Sequence, residues 1–350
     1  GVRALGRVPR ACQLVDVAPT VAALLGCAPA PDAVGLNGTA RDDAYLRRQD
    51  GDPLVDLLDG SHPELVIGVL WDGTNPNVLY DLAERGEAPN VALLMAMGTT
   101  FEHGAVASLP TVTLANHTAI ITGAHPGHHG ILHNAWYDRR SGQQIITNSA
   151  ATWPTAMQWL AGDVDSIHTA VHRTWPGAFT ASINEPCDNG ADFSTFGLMR
   201  AGESVDRPPL ETPHTTERFV RPVKEYRWGS RVDHTGVDQA VGLLSGSYRG
   251  KEWPLPKFMW VNFTLTDAAF HEGGPHSEIA RASVHDTDAR LGEVLAAVEQ
   301  AGVFDRTAFF LVADHGMEET NPEVRGDWGV VLREAGITFR DEGYGFLYVD

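Results

Sequence analysis

Three apolar runs of strand length each give way to an aspartate, and no other feature constrains the fold of this sequence as strongly. Leu65 to Leu70 leads through Trp71 into Asp72 and Gly73, Phe258 to Phe263 ends on Thr264, Thr266 and Asp267, and Thr307 to Ala313 runs straight into Asp314, His315 and Gly316. Uninterrupted apolar runs of this length read as strands buried on both faces, the condition of a parallel sheet covered by helices. Helical patterns lie between them. Asn75 or Asn77 can cap a helix through Val78, Leu79, Leu82 and Ala83 that Gly86 stops, and Pro89 to Met97 reads as a second helix. Ser277 to Gly302 carries a capping Ser, a long 3.6-residue apolar rhythm and a terminal Gly. Strands alternating with helices predict an α/β fold with a mainly parallel central sheet flanked by helices.

In open α/β sheets, ligands bind beyond the carboxyl ends of the strands. Asp72, Asp267 and Asp314, scattered over about 240 positions, are therefore predicted to converge. One strand-end Asp would mean little, because Asp is common at turns and helix caps. Three together, two of them with a histidine close by, point to metal ligation. Asp267 and His271 stand four residues apart, which brings both to one side of a helical turn. The pair reads either as a surface hydrogen bond or as two ligands of one ion. Carboxylate oxygen with imidazole nitrogen suits zinc or manganese better than calcium or magnesium.

The stretch Pro110-Thr111-Val112-Thr113-Leu114-Ala115-Asn116-His117 sets hydroxyls and an amide where a helix through Thr118 to Ile121 begins. Backbone N–H groups and the helix dipole would hold an anion there. With a metal on its oxygen, Thr113 would lose its proton readily and become a nucleophile. The alternative is a Thr that merely caps the helix.

Bulk properties narrow the partners. The chain has 350 residues, enough for one large α/β domain with an elaboration or for two modest domains. With 43% hydrophobic and 20% charged residues it sits near the globular average. No apolar run is long enough for a transmembrane helix. A formal charge of −19 argues against polymeric nucleic acid, which needs clustered Lys and Arg. Small phosphates stay open, since bound divalent cations would offset the charge locally. Cys12, Cys27 and Cys187 are far apart, with no paired spacing, and are expected in the core. No basic, apolar leader is legible, which leans towards a cytoplasmic protein.

The stretch TLANHTAIITGAHPGHH from Thr113 to His129, followed by GILHNAWYD, resembles the nucleophile motif of the nucleotide pyrophosphatase and type I phosphodiesterase family of the alkaline phosphatase superfamily. The resemblance extends to VLWDG around Asp72, to the Asp267, His271, Gly274, Pro275 pattern and to ADHGM at Asp314 to Met317. It implies an alkaline-phosphatase-like core holding two divalent metals, zinc or manganese. Asp72, Thr113, Asp314 and His315 would hold the first metal, and Asp267 and His271 the second. Asn116 would donate its amide to a phosphoryl oxygen beside the Thr113 N–H. Catalysis would pass through a phosphothreonine, the substrate being a small phosphate ester or nucleotide. The same core resembles phosphomonoesterases and phosphonate C–P hydrolases such as phosphonoacetate hydrolase. A catalytically inactive metal- or phosphate-binding module is a further alternative.

Two departures accompany the resemblance. The family's further His for the second metal, downstream of the DHGM motif, is not found, and no His follows His315. His276 or His125 could substitute, or the site could have one ligand fewer. Residues 14 to 32, LVDVAPTVAALLGCAPAPD, resemble a segment that usually comes after that His, so a rearranged segment order is expected. The remaining histidines of the loop, His128, His129 and His133, are expected to serve hydrogen bonding and loop packing. The expected organisation is 1–60 as a piece of the usual C-terminal core with a linker, 61–184 and 257–350 as the two parts of the catalytic core, and 185–256 as an inserted cap. That cap is rich in Pro, Gly, Arg and Trp, with a short helix near Val237 to Leu244. Arg218, Arg221, Lys224 and Arg227 could there meet a second anionic group.

Overall fold

Five parallel strands form the central sheet: β1 (Leu65–Trp71), β2 (Thr180–Ile183), β3 (Phe193–Ser194), β4 (Phe258–Phe263) and β5 (Thr307–Val312), in the order β5-β1-β4-β2-β3. The structure is a computed structural model that describes residues 1–205, 224–324, 326–341 and 346–349. Its larger helices are α1 (Val17–Leu25), α2 (Pro76–Glu84), α3 (Pro89–Met97), α4 (Thr113–Thr122), α5 (Ile167–Thr174), α6 (Lys224–Leu244), α7 (Leu265–Gly273) and α8 (Glu278–Gln300).

The two-residue period of β1 divides the core. Leu65, Ile67, Val69 and Trp71 point to one face, where they pack with Leu79, Val91, Val237, Leu243, Val284 and Leu291 of the covering helices. Val66 and Leu70 point to the other, against Leu24 of α1, Ile120 of α4 and Val171 of α5. Because both faces are covered, every residue of β1 and β4 is buried, as continuous apolar runs require. The three predicted strands and the helices α2, α3 and α8 occur as expected, with Asn75 capping α2 through the backbone N–H groups of Asn77 and Val78 and Ser277 capping α8.

The expected cap needs correction. Residues 193–194 form β3 of the main sheet, and α6 is a 21-residue helix packed on β4, α7 and α8. Much of the 185–256 segment thus belongs to the core layers, because α6 buries Tyr226, Val232, Val237, Ala240, Leu243 and Leu244. Arg218 and Arg221 lie outside the described residues; Lys224 and Arg227 are exposed at the start of α6. The N-terminal segment is equally integral, since α1 is almost wholly buried and short parallel pairings tie Gly6–Val8 to Thr99–Phe101 and Cys12–Gln13 to Ala105–Val106.

β5 is an edge strand, and a groove of about 850 Å³ runs along it, reaching His315 and Gly316 at the carboxyl end. Among the described residues, no helix is long and apolar enough to cross a membrane.

Candidate active site

Register brings the first two carboxylates together. Val312 pairs with Leu70 in the parallel β5–β1 ladder, so two residues further on Asp314 comes level with Asp72. Phe263 pairs with Trp71, and the chain then turns into α7, whose first turn carries Asp267. Asp233 of α6 holds that helix start by accepting from the Thr264 and Leu265 N–H groups at 2.7 and 3.2 Å. Gly73 sits between the Asp314 and Asp267 carboxylates. Its N–H donates to Asp314 Oδ1 at 3.0 Å, and a side chain there would come within 2.6 Å of Asp267 Oδ1, at a backbone φ of +64°.

The strand-end groups form two overlapping clusters with ligand atoms within 4.8 Å of one another: Asp72, Asp267 and His315, and Asp72, His117 and Asp314. His315 Nε2 lies 3.3 Å from Asp314 Oδ2 and 3.7 Å from Asp72 Oδ1, while its Nδ1 faces the Gly316 carbonyl at 3.1 Å. A ring whose Nδ1–H donates to a carbonyl presents its Nε2 lone pair to a metal. His271 Nε2 lies 3.5 Å from Asp267 Oδ1 on the outer side of α7, as the four-residue spacing predicted.

Asp72 Oδ1, Asp267 Oδ1, Asp314 Oδ2 and His117 Nε2 are all buried without a hydrogen-bond partner. Orphaned polar atoms of this kind call for a ligand, and their chemistry, oxygens with imidazole nitrogens, fits zinc or manganese. The electrostatics say the same. Burial, with the neighbouring Asp314 and Asp267 carboxylates, pushes Asp72 up to about 8. Asp267 is also raised, chiefly by burial. Burial acts to raise Asp314 too, but His315, His117 and the Gly73 N–H outweigh it and hold this carboxyl below its ordinary value. The His315 imidazole is raised, in spite of its burial, by Asp314, Asp72 and Asp267. An excess of carboxylate over cation is the state a bound divalent ion relieves.

Thr113 is the first residue of α4, and its N-cap Val112 offers no side-chain cap hydrogen bond. The Thr113 hydroxyl instead faces His315 Nε2 at 3.4 Å. The helix begins several residues earlier than the apolar run Thr118 to Ile121 suggested, which sets Thr113 directly at its positive end.

Asn116 is placed otherwise than expected. Its side chain is fully buried: Oδ1 accepts from the Ser108 N–H at 2.8 Å, and Nδ2 donates to the carbonyls of Ser108, Pro110 and Val112 at 3.0–3.2 Å. In this arrangement the two N–H groups of the amide are shared among the three loop carbonyls. Asn134 stands at the helix mouth. Its Oδ1 accepts from the Leu114 N–H at 3.0 Å, and its NH₂ group has no partner among the described residues.

Neither His276 nor His125 joins the clusters. His276 pairs with Glu318 at 2.8 Å, and His125 Nδ1 pairs with the Ser108 hydroxyl at 2.8 Å. The loop histidines serve packing and hydrogen bonding: His128 contacts Asp50, His129 Nε2 donates to the Ala115 carbonyl, and His133 lies edge-on to Phe346. His117 and Glu185, joined through Nδ1 at 2.8 Å, were not legible as site residues. The available signal was weak: a histidine four places after Thr113, one helical turn on and hence on the same face.

The model of the family described as type I phosphodiesterase / nucleotide pyrophosphatase matches residues 66–350. The chain belongs to this family. An uncharacterized pyrophosphatase/phosphodiesterase of Schizosaccharomyces pombe is 23% identical over 265 residues, covering 73% of this chain and 45% of that protein. The ectonucleotide pyrophosphatase/phosphodiesterase 1 of Saccharomyces cerevisiae is 29% identical over 298 residues, covering 77% and 36%. The chain therefore spans less than half the length of these relatives. Among solved structures, murine ectonucleotide pyrophosphatase/phosphodiesterase 5 superposes with a TM-score of 0.52 at 16% identity, covering 79% of this chain and 64% of that one. The alkaline phosphatase PafA superposes with a TM-score of 0.55 at 17% identity, covering 73% and 63%. The fold is thus the alkaline-phosphatase-like core, and the family match starts where β1 does, leaving the N-terminal segment outside it.

Proposed function

We propose that this site hydrolyses phosphate diesters or nucleotide pyrophosphate bonds, with Thr113 as nucleophile. The observation that carries the reading is the convergence of Asp72, Asp267, Asp314 and His315 on the mouth of α4, where the Thr113 hydroxyl faces His315. Asp72, Thr113, Asp314 and His315 would hold one divalent ion, and Asp267 and His271 another, zinc being the first candidate and manganese the second. Two such ions, when bound, supply positive charge against the attacking and leaving oxygens of an in-line displacement and make a hydroxyl easier to deprotonate.

The remaining roles belong to the chain. Thr113 Oγ1 gives up its proton to solvent and attacks phosphorus, the bond to the leaving oxygen breaks with its electron pair going to that oxygen, and the phosphoryl group stays on the threonine until water hydrolyses it. The helix dipole, the Thr113 N–H and the Asn134 NH₂ neutralise the phosphoryl oxygens. Asn116 acts at one remove, holding the Ser108 to Val112 loop that leads into the nucleophile.

The test is turnover of bis(p-nitrophenyl) phosphate by the metal-loaded protein. Thr113→Ala is expected to remove it by about 10⁴-fold or more, the scale on which losing a nucleophile falls, with the far-UV circular dichroism unchanged. Undiminished turnover would sink the assignment. The exposure of the Asp267–His271 half favours one second reading, a metal- or phosphate-binding module without turnover. A wild-type protein that takes up metal yet hydrolyses no diester, nucleotide pyrophosphate, monoester or phosphonate would select it.

A further inference from the structure

Behind the candidate metal ligands lies a buried pair that the proposed chemistry does not use. Glu185 follows β2 immediately after Asn184, a residue in the left-handed region at a φ of +53°. Three bonds hold that turn: the Asn184 N–H donates to Thr195 Oγ1 at 2.9 Å, its Nδ2 to the Val232 carbonyl at 2.9 Å, and its carbonyl accepts from Asn262 Nδ2 at 3.1 Å. A non-glycine residue keeps such a conformation only where its surroundings over-determine it. The turn sends Glu185 under the carboxyl end of the sheet. There its Oε1 accepts from the Cys187 N–H at 2.9 Å and its Oε2 meets His117 Nδ1 at 2.8 Å, with both side chains sealed from solvent. The other ring nitrogen, His117 Nε2, faces Asp314 Oδ2 at 3.4 Å and Asp72 Oδ2 at 3.6 Å. Asp72 thus lies between two imidazoles, Oδ2 towards His117 at 3.6 Å and Oδ1 towards His315 at 3.7 Å.

We infer that Glu185 and His117 are a positioning pair: the glutamate locks the imidazole, and the imidazole aims the Asp72 and Asp314 carboxylates at the first metal. A buried carboxylate–imidazole pair is costly to desolvate, and an apolar pair of similar size would serve packing alone at least as well. Partners that orient ligating groups typically govern metal affinity about 10- to 100-fold when removed. The inference rests on the metal reading above.

The experiment uses the full chain, stripped of metal with a chelator and titrated with Co²⁺, followed by its visible ligand-field absorption and by calorimetry. His117→Gln is expected to weaken the tighter Co²⁺ site about 10- to 100-fold without changing stoichiometry or the band positions, since the ligand set stays the same. Glu185→Gln, nearly isosteric and uncharged, is expected to weaken it less, about tenfold, and to lower kcat more than it raises KM. His117→Ala should be worse than His117→Gln, the longer side chain restoring part of the contact. Affinities equal to wild type in both His117→Gln and Glu185→Gln would overturn the pair as a positioning device. Band shifts showing loss of a nitrogen ligand in His117→Gln would overturn it in favour of direct ligation. A wild-type protein that takes up no Co²⁺ would overturn the metal reading and this inference together, whereas normal wild-type uptake with unchanged variants overturns this inference alone.

Discussion

The two halves of the candidate metal centre are built on opposite plans. Asp72 and Asp314 lie at the ends of adjacent parallel strands, at 7% and 0% side-chain exposure, with His117 behind them and His315 beside them. Asp267 and His271 sit on a single turn of α7, at 23% and 70% exposure, Asp267 reaching the Asp72–His315 cluster and His271 standing outside it. The inner half is determined by the sheet: moving either carboxylate means breaking a ladder of buried strands. The outer half is determined by one helix start, which Asp233 anchors. A centre of this kind has one pre-organised position and one adaptable position, and the contrast can be tested directly.

The largest difference is expected between Asp314→Asn and His271→Ala. Asp314→Asn removes a charge that nothing nearby replaces, and should abolish binding at the tighter metal position and lower turnover by about 10⁴-fold or more. His271→Ala should weaken only one of two binding steps in a calorimetric metal titration and leave the melting temperature of the metal-free protein unchanged. Equal effects of the two substitutions on both steps would break the comparison.

Next in size is the loop that enters α4. Asn116→Ala leaves the buried Ser108 N–H without its acceptor and takes the side-chain donor away from the loop carbonyls, and should lower stability by about 1–3 kcal/mol in urea unfolding. If Asn116 instead touched substrate, its removal would raise KM with no loss of stability.

The smallest effect concerns pH and separates the inner half from the rest of the molecule. Asp72 has a folded pKa raised to about 8 from an ordinary 3.8, so the metal-free folded state holds a proton there that the unfolded chain releases. Its contribution is fully present below about 4 and is lost as pH rises towards 8. Asp267 acts with the same sign. Metal-free protein should therefore melt at a lower temperature at pH 8 than at pH 5, and Asp72→Asn, which cannot titrate, should gain on wild type across that range. Added zinc should cancel the difference by occupying the deprotonated site. A variant that loses stability relative to wild type as pH rises would contradict the assignment of Asp72 as the strained carboxylate.

Much of this architecture was legible because its causes are local. An uninterrupted apolar run buried on both faces is a strand wherever it occurs, and Leu65–Trp71 and Phe258–Phe263 carry that information within themselves. Pro89 starts α3 at its first turn and Gly98 follows its last residue, so both ends of that helix are written in the sequence. The aspartates after the strands follow from the same rule, since a parallel sheet gathers its carboxyl ends on one side. β2 escaped notice because Thr180–Ile183 is only four residues, half of them hydroxylic, and its burial depends on its neighbours rather than on its own composition. The full length of α6 was hidden because its mean hydropathy is low and its apolar stripe has meaning only against α7, α8 and β4.

The sequence by itself determined which residues could do chemistry, because strand burial, helix entry and the run of Asp and His are set by residues near one another in the chain. Only the tertiary structure decided how those residues are used. Whether Asn116 meets a phosphate or a loop carbonyl, whether Asn134 reaches the mouth of α4, and whether His117 finds Glu185 sixty-eight positions away are questions of which groups the packed sheet and helices bring within 3 Å. Hydrogen bonds act over that range and no further, so their partners are fixed by the packing of distant segments and leave little trace in the order of residues.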